Sequence, residues 1–442
     1  MRLPTNFAIR MLKYCSITAG DMKKVLIFSL AYFPKHVGGA EVAIQEKTAR
    51  MPDIEFHMVT NRFDSSLPKV EKIGNVLVHR IGITKANPSM GDLRKWPLHL
   101  NKFLFQFLAA WKALQLHRQY KYDAIWAMMA HSCGVPAAIF KLFKPGVPFV
   151  LELQEGDPPA QIERTMRPLW PLFTRAFTKA DVISVISTFL GKWARARGFT
   201  GPVVLVPNAV NTEHFSKPIS SQRIEEIQGK LGKKMGDVFV ITTSRLVHKN
   251  AVDDMICALP LLPSNVHFII LGTGPDEAML RKLASKLKVS ERVQFVGQVG
   301  HAELPAYLKA CDIFIRASRS EGMGNSFVEA MAADVPVIAT QEGGIADFLF
   351  DPDRKAQNAS YGAGEKRAGD PTLQYKTGWA VDADSPEQIA GAVKRIMANP
   401  EKVRHVVATA HAMVIETYEW DKVSRKMHED VFLPLFNKGT TH

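Results

Sequence analysis

Residues 318–331 read SRSEGMGNSFVEAM, and this stretch decides how the fold of the whole chain is interpreted. The apolar run at 313–315 predicts a buried strand before it, and Asn325 or Ser326 can cap a helix that begins at Phe327. A glycine-containing loop that opens a helix exposes backbone N–H groups and the positive end of the helix dipole, which together attract an anion. The residues predicted to surround this anion are Gly322, Met323, Gly324 and Asn325.

Two carboxylates flank the predicted anion site, Glu321 in the loop and Glu329 one turn into the helix. Carboxylates repel phosphate, so we expect these side chains to accept hydrogen bonds from sugar hydroxyl groups. A phosphate site beside acceptors for hydroxyl groups suggests a nucleotide sugar. A simpler interpretation is also open, because Ser326 and Glu329 have the spacing of a capping box, and helix capping alone would explain Glu329.

The spacing of Glu321 and Glu329, with seven residues between them, resembles the E-x7-E motif of the retaining glycosyltransferases of group 1, also called family 4. Members of this family have the GT-B fold, in which two Rossmann-like domains face each other across a cleft. The resemblance implies that the donor is a nucleoside-diphosphate sugar. It also implies that Glu321 contacts the donor sugar and that Glu329 holds the ribose of the nucleotide.

Further segments resemble the family's donor site and follow in the same order along residues 24–436. Arg245 and Lys249, four residues apart after a predicted strand, match the pair that grips the donor pyrophosphate, although a lone pair of this kind is usually exposed surface. Pro34, Gly38, Gly39 and Glu41 resemble the family's P-x-x-G-G-x-E element, with one more residue between the Pro and the first Gly. This element brings the backbone close to the donor phosphates and the acceptor. The resemblance therefore adds to the predicted donor site Gly38, Gly39, Gly272, Gly274 and, near the base, Val299.

The predicted acceptor side departs from the family. The strand at 149–153 is followed by Gln154, whereas the family commonly has a His near the reacting carbon at this point. His131, after the preceding strand, is the nearest alternative, although a lone His is more often structural. Glu155 and Asp157 are candidates to orient the acceptor hydroxyl group. The sequence leaves open which of these three residues replaces the family's histidine.

Predicted strands alternate with predicted helices along the chain, which is typical of parallel sheets with helices on both faces. We therefore expect an α/β fold with two doubly wound, Rossmann-like domains. The expected divisions are a disordered extension at 1–21, an acceptor-side domain at 22–210, a donor-binding domain at 211–415 and a final helix at 416–442 that crosses back to the first domain. Residues 351–376 are polar and are expected to form an insertion in the second domain.

The charge of the chain is unevenly distributed. Its 442 residues carry a formal net charge of +13, and residues 1–210 contain 28 Lys and Arg against 14 Asp and Glu. A basic half suggests an anionic partner such as a membrane surface, a nucleic acid or an acidic acceptor, while a solvated surface without a partner is the simpler alternative. No recognisable nucleic-acid-binding module accompanies the basic residues, so no nucleic-acid partner is expected.

Residues 94–118 predict one long helix rich in aromatic and basic side chains. Its aromatic residues include Trp96, Phe103, Phe105, Phe107 and Trp111. Packing against the sheet is the usual explanation of such a stripe, and a surface helix that touches lipid is the alternative. No apolar run reaches the roughly 18 residues of a membrane-spanning helix. The lipid alternative therefore implies peripheral association with the inner face of the membrane, and it suits a carbohydrate or lipid-linked acceptor.

No cofactor or metal is expected. The four cysteines have no short paired spacing, which indicates a reducing, cytoplasmic compartment rather than zinc or disulfide sites. Asp382 and Asp384 superficially resemble a metal-binding pair, but a helix N-cap before Pro386 explains them better. Two other functions stay open. One is a GT-B-fold nucleotide-sugar epimerase or phosphorylase, and the other is a non-catalytic carbohydrate- or lipid-binding relative, against which the retained Arg245 and Lys249 count.

Overall fold

The computed structural model describes residues 22–35, 38–89, 91–353 and 376–438. The predicted extension at 1–21 and nearly all of the predicted insertion at 351–376 lie outside the described residues. Within the described ranges, no helix combines the length and the hydropathy that crossing a membrane requires.

The first sheet is built mainly of parallel strands and contains eight of them in the described part of the chain. They are β1 (Lys23–Phe28), β2 (Ile54–Asn61), β3 (Val70–Ile73), β4 (Val76–Ile81), β5 (Ala124–Met128), β6 (Phe149–Leu153), β7 (Val182–Val185) and β8 (Val203–Leu205). Their order is β3-β4-β2-β1-β5-β6-β7-β8, and every neighbouring pair is parallel except β3 with β4. β5 and β6 are buried along their whole length, so their sequences, AIWAM and FVLEL, are almost continuously apolar.

The second sheet is parallel throughout and contains six strands among the described residues. They are β9 (Val238–Thr243), β10 (Val266–Leu271), β11 (Val293–Gly297), β12 (Ile313–Arg316), β13 (Val337–Ala339) and β14 (Trp379–Ala380), in the order β11-β10-β9-β12-β13-β14. The strand order reverses between β9 and β12, as it does between β1 and β5 in the first sheet. Ligands of such sheets bind at the carboxyl ends of the strands beside the reversal. The prediction of two doubly wound parallel-sheet domains is confirmed.

Helices connect the strands and cover both sheets. In the first domain they are α1 (Gly39–Ala49), α2 (Asn101–Tyr120), α3 (Val135–Phe143), α4 (Pro159–Met166), α5 (Trp170–Thr178) and α6 (Thr188–Ala196). In the second domain they are α7 (Thr212–Ser216), α8 (Ser221–Lys230), α9 (Val252–Ala258), α10 (Glu277–Lys286), α11 (Leu304–Ala310), α12 (Asn325–Ala332), α13 (Pro386–Ala398) and α14 (Pro400–Thr417). The chain ends with α15 (Trp420–Met427) and α16 (Leu433–Lys438), joined by a π-helical turn at His428–Phe432.

The last helices of the chain pack on the first sheet. The ring of Phe432 contacts those of Phe56 and Trp126, with centroids 6.2 and 5.6 Å apart. Arg50 donates a 2.7 Å hydrogen bond from the end of α1 to Asp421 in α15. The end of the chain therefore stabilises the domain that its beginning forms.

The predicted helix at 94–118 differs from the structure in its start and in the packing of its aromatic residues. Two short 3-10 turns, Asp92–Arg94 and Leu98–Leu100, precede α2, which begins only at Asn101. Packing in the core explains Phe105 alone, which is 1% exposed. The exposed residues are Trp96 at 76%, Phe103 at 55%, Phe107 at 42% and Trp111 at 62%. Helical residues follow one another at about 100°, so the side of α2 that buries Phe105 leaves Phe103, Phe107 and Trp111 facing outward, whereas Trp96 precedes the helix.

Candidate active site

The loop between β12 and α12 has the geometry of an anion site. β12 ends at Arg316, and α12 begins at Asn325, two residues before the predicted start. Gly324 precedes the helix with a φ of +86°, a conformation that favours glycine, and a Cβ added there would lie 2.5 Å from the ring of Phe327. The N–H groups of Asn325 and Ser326, in the first turn of α12, follow this glycine directly, in the arrangement that binds anions.

The position of the helix start decides between the two interpretations of Glu329. Ser326 lies inside the first turn of α12 rather than at its cap, and its hydroxyl accepts a 2.8 Å hydrogen bond from Arg316. The capping-box explanation is therefore wrong. Glu329 is largely buried, and burial raises its pKa to about 7 against the opposing effect of the Arg316 charge. Its carboxylate lies 3.9 Å from Nε2 of His301, and a buried carboxylate of this kind is suited to accept hydrogen bonds from ligand hydroxyl groups.

A cavity of about 210 Å³ lies between the two domains. It is lined by Met129, His131, Glu155, Gly156, Asp157, Ile162, Arg245 and Lys249. Most of these residues follow β5, β6 or β9, so strands of both sheets end at the cavity. It brings together five residues to which the sequence analysis gave two different roles. They are Arg245 and Lys249 on the donor side and His131, Glu155 and Asp157 on the acceptor side.

Lys249 connects the two sides of this cavity. Its Nζ lies 3.0 Å from Oδ1 of Asp157, which belongs to the first domain. It also lies 2.9 Å from the position that a Cβ of Gly156 would occupy, and Oε1 of Glu321 lies 3.5 Å from the same position. Lys249, Asp157 and Glu321 therefore meet around Gly156, although they come from three separate segments of the chain.

The acceptor side of the cavity contains a carboxylate and a histidine in contact. Glu155 is buried and accepts hydrogen bonds from the backbone N–H groups of Ala130 at 2.6 Å and Gln154 at 2.9 Å. Its Oε1 lies 3.4 Å from Nδ1 of His131, which is part of the π-helical turn Ala130–Gly134. The carboxylate therefore orients Nδ1, and Nε2 is the ring nitrogen that a ligand in the cavity can reach.

Gln154, which stands where the resembling family commonly has a His, turns away from the cavity. Its side-chain amide donates to Glu152 at 2.7 Å and to Asn208 at 2.9 Å. Glu152 also forms a buried ion pair with Lys47 at 2.6 Å. Gln154 is thus part of a buried polar cluster that joins α1 to the first sheet, and the imidazole that lines the cavity is that of His131.

The predicted diglycine segment lies at the opposite wall of the cleft. Gly38 donates its N–H to Oε2 of Glu41 at 2.8 Å, and α1 begins at Gly39. A Cβ added to Gly39 would lie 4.0 Å from Nδ2 of Asn325. The starts of α1 and α12 therefore face each other across the cleft.

The other predicted donor residues lie in adjacent loops of the second sheet. The N–H of Leu246, in the segment after β9, donates to the carbonyl oxygen of Thr273 at 3.0 Å. This contact places Gly272 and Gly274 beside the segment that carries Arg245. Val299 follows β11 and packs against the core.

Two arginines that the sequence does not mark as functional hold the loops after β9 and β12 in place. Arg316 is nearly buried and forms an ion pair with Glu321. Arg319 donates its backbone N–H to the carbonyl oxygen of Lys249 at 2.8 Å and its guanidinium to that of His248 at 2.7 Å. The signal for Arg316 is a charged residue at the end of an otherwise apolar strand, whereas Arg319 gives no signal in the sequence.

The guanidinium of Arg319 is anchored by three carboxylates, those of Asp253, Asp254 and Asp384. Burial raises the pKa of Asp254 to about 6, although the Arg319 charge opposes this shift. Helix α13 begins at Pro386 as expected, and Ser385 is its N-cap residue. Asp384 does not cap the helix and instead forms an ion pair with Arg319. In the parts of the chain that the structure describes, no three His, Cys, Asp or Glu side chains are grouped as metal ligands.

Two family models match the chain. The model described as "Glycosyl transferase 4-like domain" matches residues 38–209, and the model described as "Glycosyl transferases group 1" matches residues 223–355. Together the matches cover more than half of the chain. The chain belongs to the group 1 glycosyltransferases. The gap between the two matches falls between β8 and β9, where the chain passes from the first sheet to the second.

Curated relatives of this glycosyltransferase include enzymes named for lipid glycosylation. A GDP-mannose-dependent alpha-(1-6)-phosphatidylinositol monomannoside mannosyltransferase of Mycobacterium tuberculosis is 30% identical over 260 residues, which are 56% of this chain and 60% of that protein. An alpha-monoglucosyldiacylglycerol synthase of Acholeplasma laidlawii is 30% identical over 155 residues, which are 34% of this chain and 39% of that protein. The chain therefore spans at most 60% of the length of these two relatives.

Solved structures share the fold of this glycosyltransferase over nearly its whole length. Anabaena HepE in complex with UDP and glucose superposes with a TM-score of 0.69 at 19% identity and covers 92% of this chain and 99% of that one. Sucrose-phosphate synthase of Thermosynechococcus elongatus superposes with a TM-score of 0.73 at 18% identity and covers 94% of this chain and 100% of that one. This likeness shows the GT-B arrangement of two Rossmann-like domains, which confirms the predicted fold.

Proposed function

We propose that the protein transfers a sugar from a nucleoside-diphosphate sugar to a hydroxyl group of an acceptor, with retention of the anomeric configuration and without a metal. The observation that carries this proposal is the meeting of Arg245, Lys249 and Glu321 around one interdomain cavity. Family membership supports the reaction class. Among the similar proteins, one is named as GDP-mannose-dependent and another was solved with UDP and glucose, which supports a nucleotide-sugar donor.

The donor diphosphate is assigned to the second-domain edge of the cavity. Negative charge develops on the distal phosphate as the bond between the anomeric carbon and the phosphate oxygen breaks. The guanidinium of Arg245 and the ammonium of Lys249 line the cavity, and the N–H groups at the start of α12 are held by the backbone. Together these positive groups stabilise the developing charge, which makes a metal unnecessary.

The acceptor hydroxyl group is assigned to the first-domain edge. In a front-face displacement its oxygen bonds to the anomeric carbon on the side that the phosphate leaves, and its proton passes to the departing phosphate. This route retains the configuration and needs no dedicated protein base. His131, oriented by Glu155, and Asp157 hold the hydroxyl group. Binding of the diphosphate competes for Lys249, which in its absence pairs with Asp157 at 3.0 Å.

A screen of UDP-, GDP- and ADP-sugars by thermal shift, followed by product analysis with and without acceptor, tests this proposal. We expect one nucleotide class to stabilise the protein, its sugar to be transferred with retention, and activity to persist after exhaustive chelation. Epimerisation without acceptor, or phosphorolysis, would identify one of the alternative enzymes. Failure of every nucleotide sugar to bind would favour a non-catalytic carbohydrate- or lipid-binding protein. A complete loss after chelation that magnesium or manganese restores would contradict metal independence.

We also propose that the acceptor is lipid-linked and that the protein binds the cytoplasmic surface of an anionic membrane through the start of α2. Residues 94–144 contain eight Lys and Arg and a single acidic residue. The exposed aromatic side chains of this region lie among exposed lysines, and Trp favours the interface between lipid and water. Exposed apolar patches of this kind mark interaction sites. The names of both curated relatives refer to lipids, which supports the same acceptor class.

Co-sedimentation with lipid vesicles tests the membrane proposal. Each basic contact contributes on the order of 1 kcal/mol near an anionic surface and is screened by salt. We therefore expect binding to anionic vesicles that weakens with ionic strength and falls several-fold when Phe107→Ser and Trp111→Ser are combined. Met235→Ser, which removes a fully exposed apolar side chain from the second domain, is the matched control and should bind normally. Binding that ignores both lipid charge and the double substitution would contradict the proposal.

A further inference from the structure

The guanidinium of Arg316 contacts the segment 318–326, which leads from β12 into α12 and contains Glu321. Arg316 is the last residue of β12 and is 8% exposed. Its Nε donates to Oγ of Ser318 at 3.0 Å, and its Nη1 donates to Oγ of Ser326 at 2.8 Å. Its Nη2 forms the ion pair with Glu321, and its Cζ lies 4.5 Å from the centroid of the Phe327 ring. One side chain therefore bonds to Ser318, Glu321 and Ser326, which lie at the two ends and in the middle of the segment 318–326.

These bonds fix the loop more firmly than separate contacts would. The planar guanidinium presents its N–H groups in fixed directions, so the positions of Ser318, Glu321 and Ser326 relative to one another are determined together. The N–H groups proposed to bind the donor phosphate lie between these anchors, at the start of α12 after Gly324. A buried arginine charge is costly unless it is paired, and Glu321 is the carboxylate that pairs with Arg316.

The ion pair also determines which oxygen of Glu321 faces the cavity. Oε2 is engaged by Arg316, and Oε1 accepts a 3.1 Å hydrogen bond from the N–H of Gly322. Oε1 is also the oxygen that lies 3.5 Å from the position of a Cβ on Gly156, next to Nζ of Lys249. A ligand in the cavity therefore meets Oε1 and not Oε2.

We propose that Arg316 is a positioning residue of the donor site, which sets the shape of the 318–326 loop and presents Oε1 of Glu321 to a hydroxyl group of the donor sugar. The inference rests on the proposed function, because it takes a nucleotide sugar as the ligand. It assigns to Arg316 no contact with the substrate. Its effect is transmitted through Glu321 and through the backbone N–H groups of the loop.

Arg316 also influences the second glutamate of the donor site. Its charge favours the ionised form of Glu329 and so opposes the burial that raises the pKa of this carboxyl to about 7. Removing the charge should leave Glu329 protonated to a higher pH. The pH dependence of donor affinity therefore reports whether the Arg316 charge reaches this part of the donor site. His301, whose Nε2 lies 3.9 Å from the Glu329 carboxylate, is another titratable group that faces it.

The test compares Arg316→Met and Arg316→Lys with Arg292→Met. Arg292 is a partly buried arginine of the same domain that donates to the carbonyl oxygens of Val266 at 2.9 Å and Pro263 at 2.8 Å, at the opposite ends of the strands. Arg292→Met therefore shows how much stability the domain loses when a partly buried arginine outside the donor site is removed. We expect Arg316→Met to lower kcat/KM for the donor about 10²-fold, because the loop would be misplaced. Arg316→Lys should lower it less, because lysine keeps the positive charge although it lacks the planar guanidinium with several N–H donors. Arg292→Met should lose stability without this effect.

Two further readouts complete the test. The pH at which donor affinity begins to rise should move upward in Arg316→Met and stay unchanged in Arg292→Met. Combining Arg316→Met with Glu321→Gln should cost little more than the worse single substitution, because the two residues act as a unit. Native kinetics in Arg316→Met, or additive losses in the double variant, would overturn the inference.

The wild-type protein separates this inference from the proposed function. If the wild type transfers no sugar from any nucleotide sugar, the proposed function fails, and hydrogen exchange then decides the structural part of the inference. Arg316→Met should speed amide exchange at 318–326 selectively, and Arg292→Met should not. Unchanged exchange in this loop would overturn the inference even in that case.

Discussion

The two edges of the cleft differ in how their residues come together. On the second-domain edge, Arg245 and Lys249 belong to one short segment, and Glu321 lies in the loop that opens α12. On the first-domain edge, His131 and Glu155 are separated by 24 positions and meet because β5 and β6 are neighbours in the sheet. Local backbone geometry therefore builds each of the two donor segments, and the fold brings these segments together, whereas the contact on the acceptor edge depends on the fold alone.

The largest effect is expected at the donor edge. Arg245→Ala and Lys249→Ala should each reduce turnover about 10²–10³-fold, roughly 2.7–4 kcal/mol, because each removes a positive group that faces the developing phosphate charge. Steady-state kinetics with an identified donor measures this loss. Lys230→Ala is the matched control, because Lys230 also pairs with a carboxylate, that of Glu226 at 2.7 Å, but lies on α8. Near-native turnover in both site variants would place the donor elsewhere.

Each segment of the donor edge can be recognised in the sequence because the residues within it lie close together along the chain. A glycine loop that opens a helix carries its own backbone donors, so the anion site can be predicted without knowledge of the fold. The exact helix start cannot, because Gly324 adopts a left-handed conformation and moves Ser326 into the first turn. For the same reason the capping pattern of Ser326 and Glu329 was misleading.

Residues that depend on the fold are harder to predict. Arg319 is anchored by Asp253, Asp254 and Asp384, and no spacing in the sequence connects these positions. The aromatic residues around α2 pose a different difficulty. A helix that is apolar on two opposite sides has no periodicity to show which side is buried, so the burial of Phe105 and the exposure of Phe107 follow only from the packing.

The next largest effect concerns Glu329 and the pH dependence of stability. The pKa of this carboxyl is about 7 in the folded protein against an ordinary 4.5, so the folded state keeps a proton that the unfolded chain has released. The contribution of Glu329 to the free energy of unfolding therefore declines as the pH rises from 4.5 to 7, by roughly 3 kcal/mol in all. Glu329→Gln removes this decline.

Denaturant unfolding at several pH values between 5 and about 8 measures this effect. We expect the free energy of unfolding of Glu329→Gln to exceed that of the wild type increasingly as the pH rises. Glu416→Gln, at an exposed position on α14, should follow the wild-type curve. Parallel curves for the wild type and Glu329→Gln would show that Glu329 is not the buried carboxyl described here.

A smaller effect is expected at the acceptor edge. His131→Ala and Glu155→Gln should each reduce kcat by roughly tenfold, less than the about 10²–10⁴-fold that positioned acid–base groups typically contribute, because the departing phosphate accepts the proton. The donor KM should change little. His405→Ala, an exposed histidine on α14, is the control. A loss as large as that of Lys249→Ala would instead make His131 an essential base and remove the difference between the two edges.

The loops after β9 and β12 are proposed to bind the diphosphate of the donor together, and calorimetric titration with the nucleoside diphosphate is the sharpest test of this arrangement. The nucleoside diphosphate is the one identified by the donor screen. Its Kd should rise at least tenfold in Arg245→Ala and in Lys249→Ala and remain unchanged in Lys230→Ala. An equal Kd in all four proteins would contradict the assignment of this cleft as the donor site.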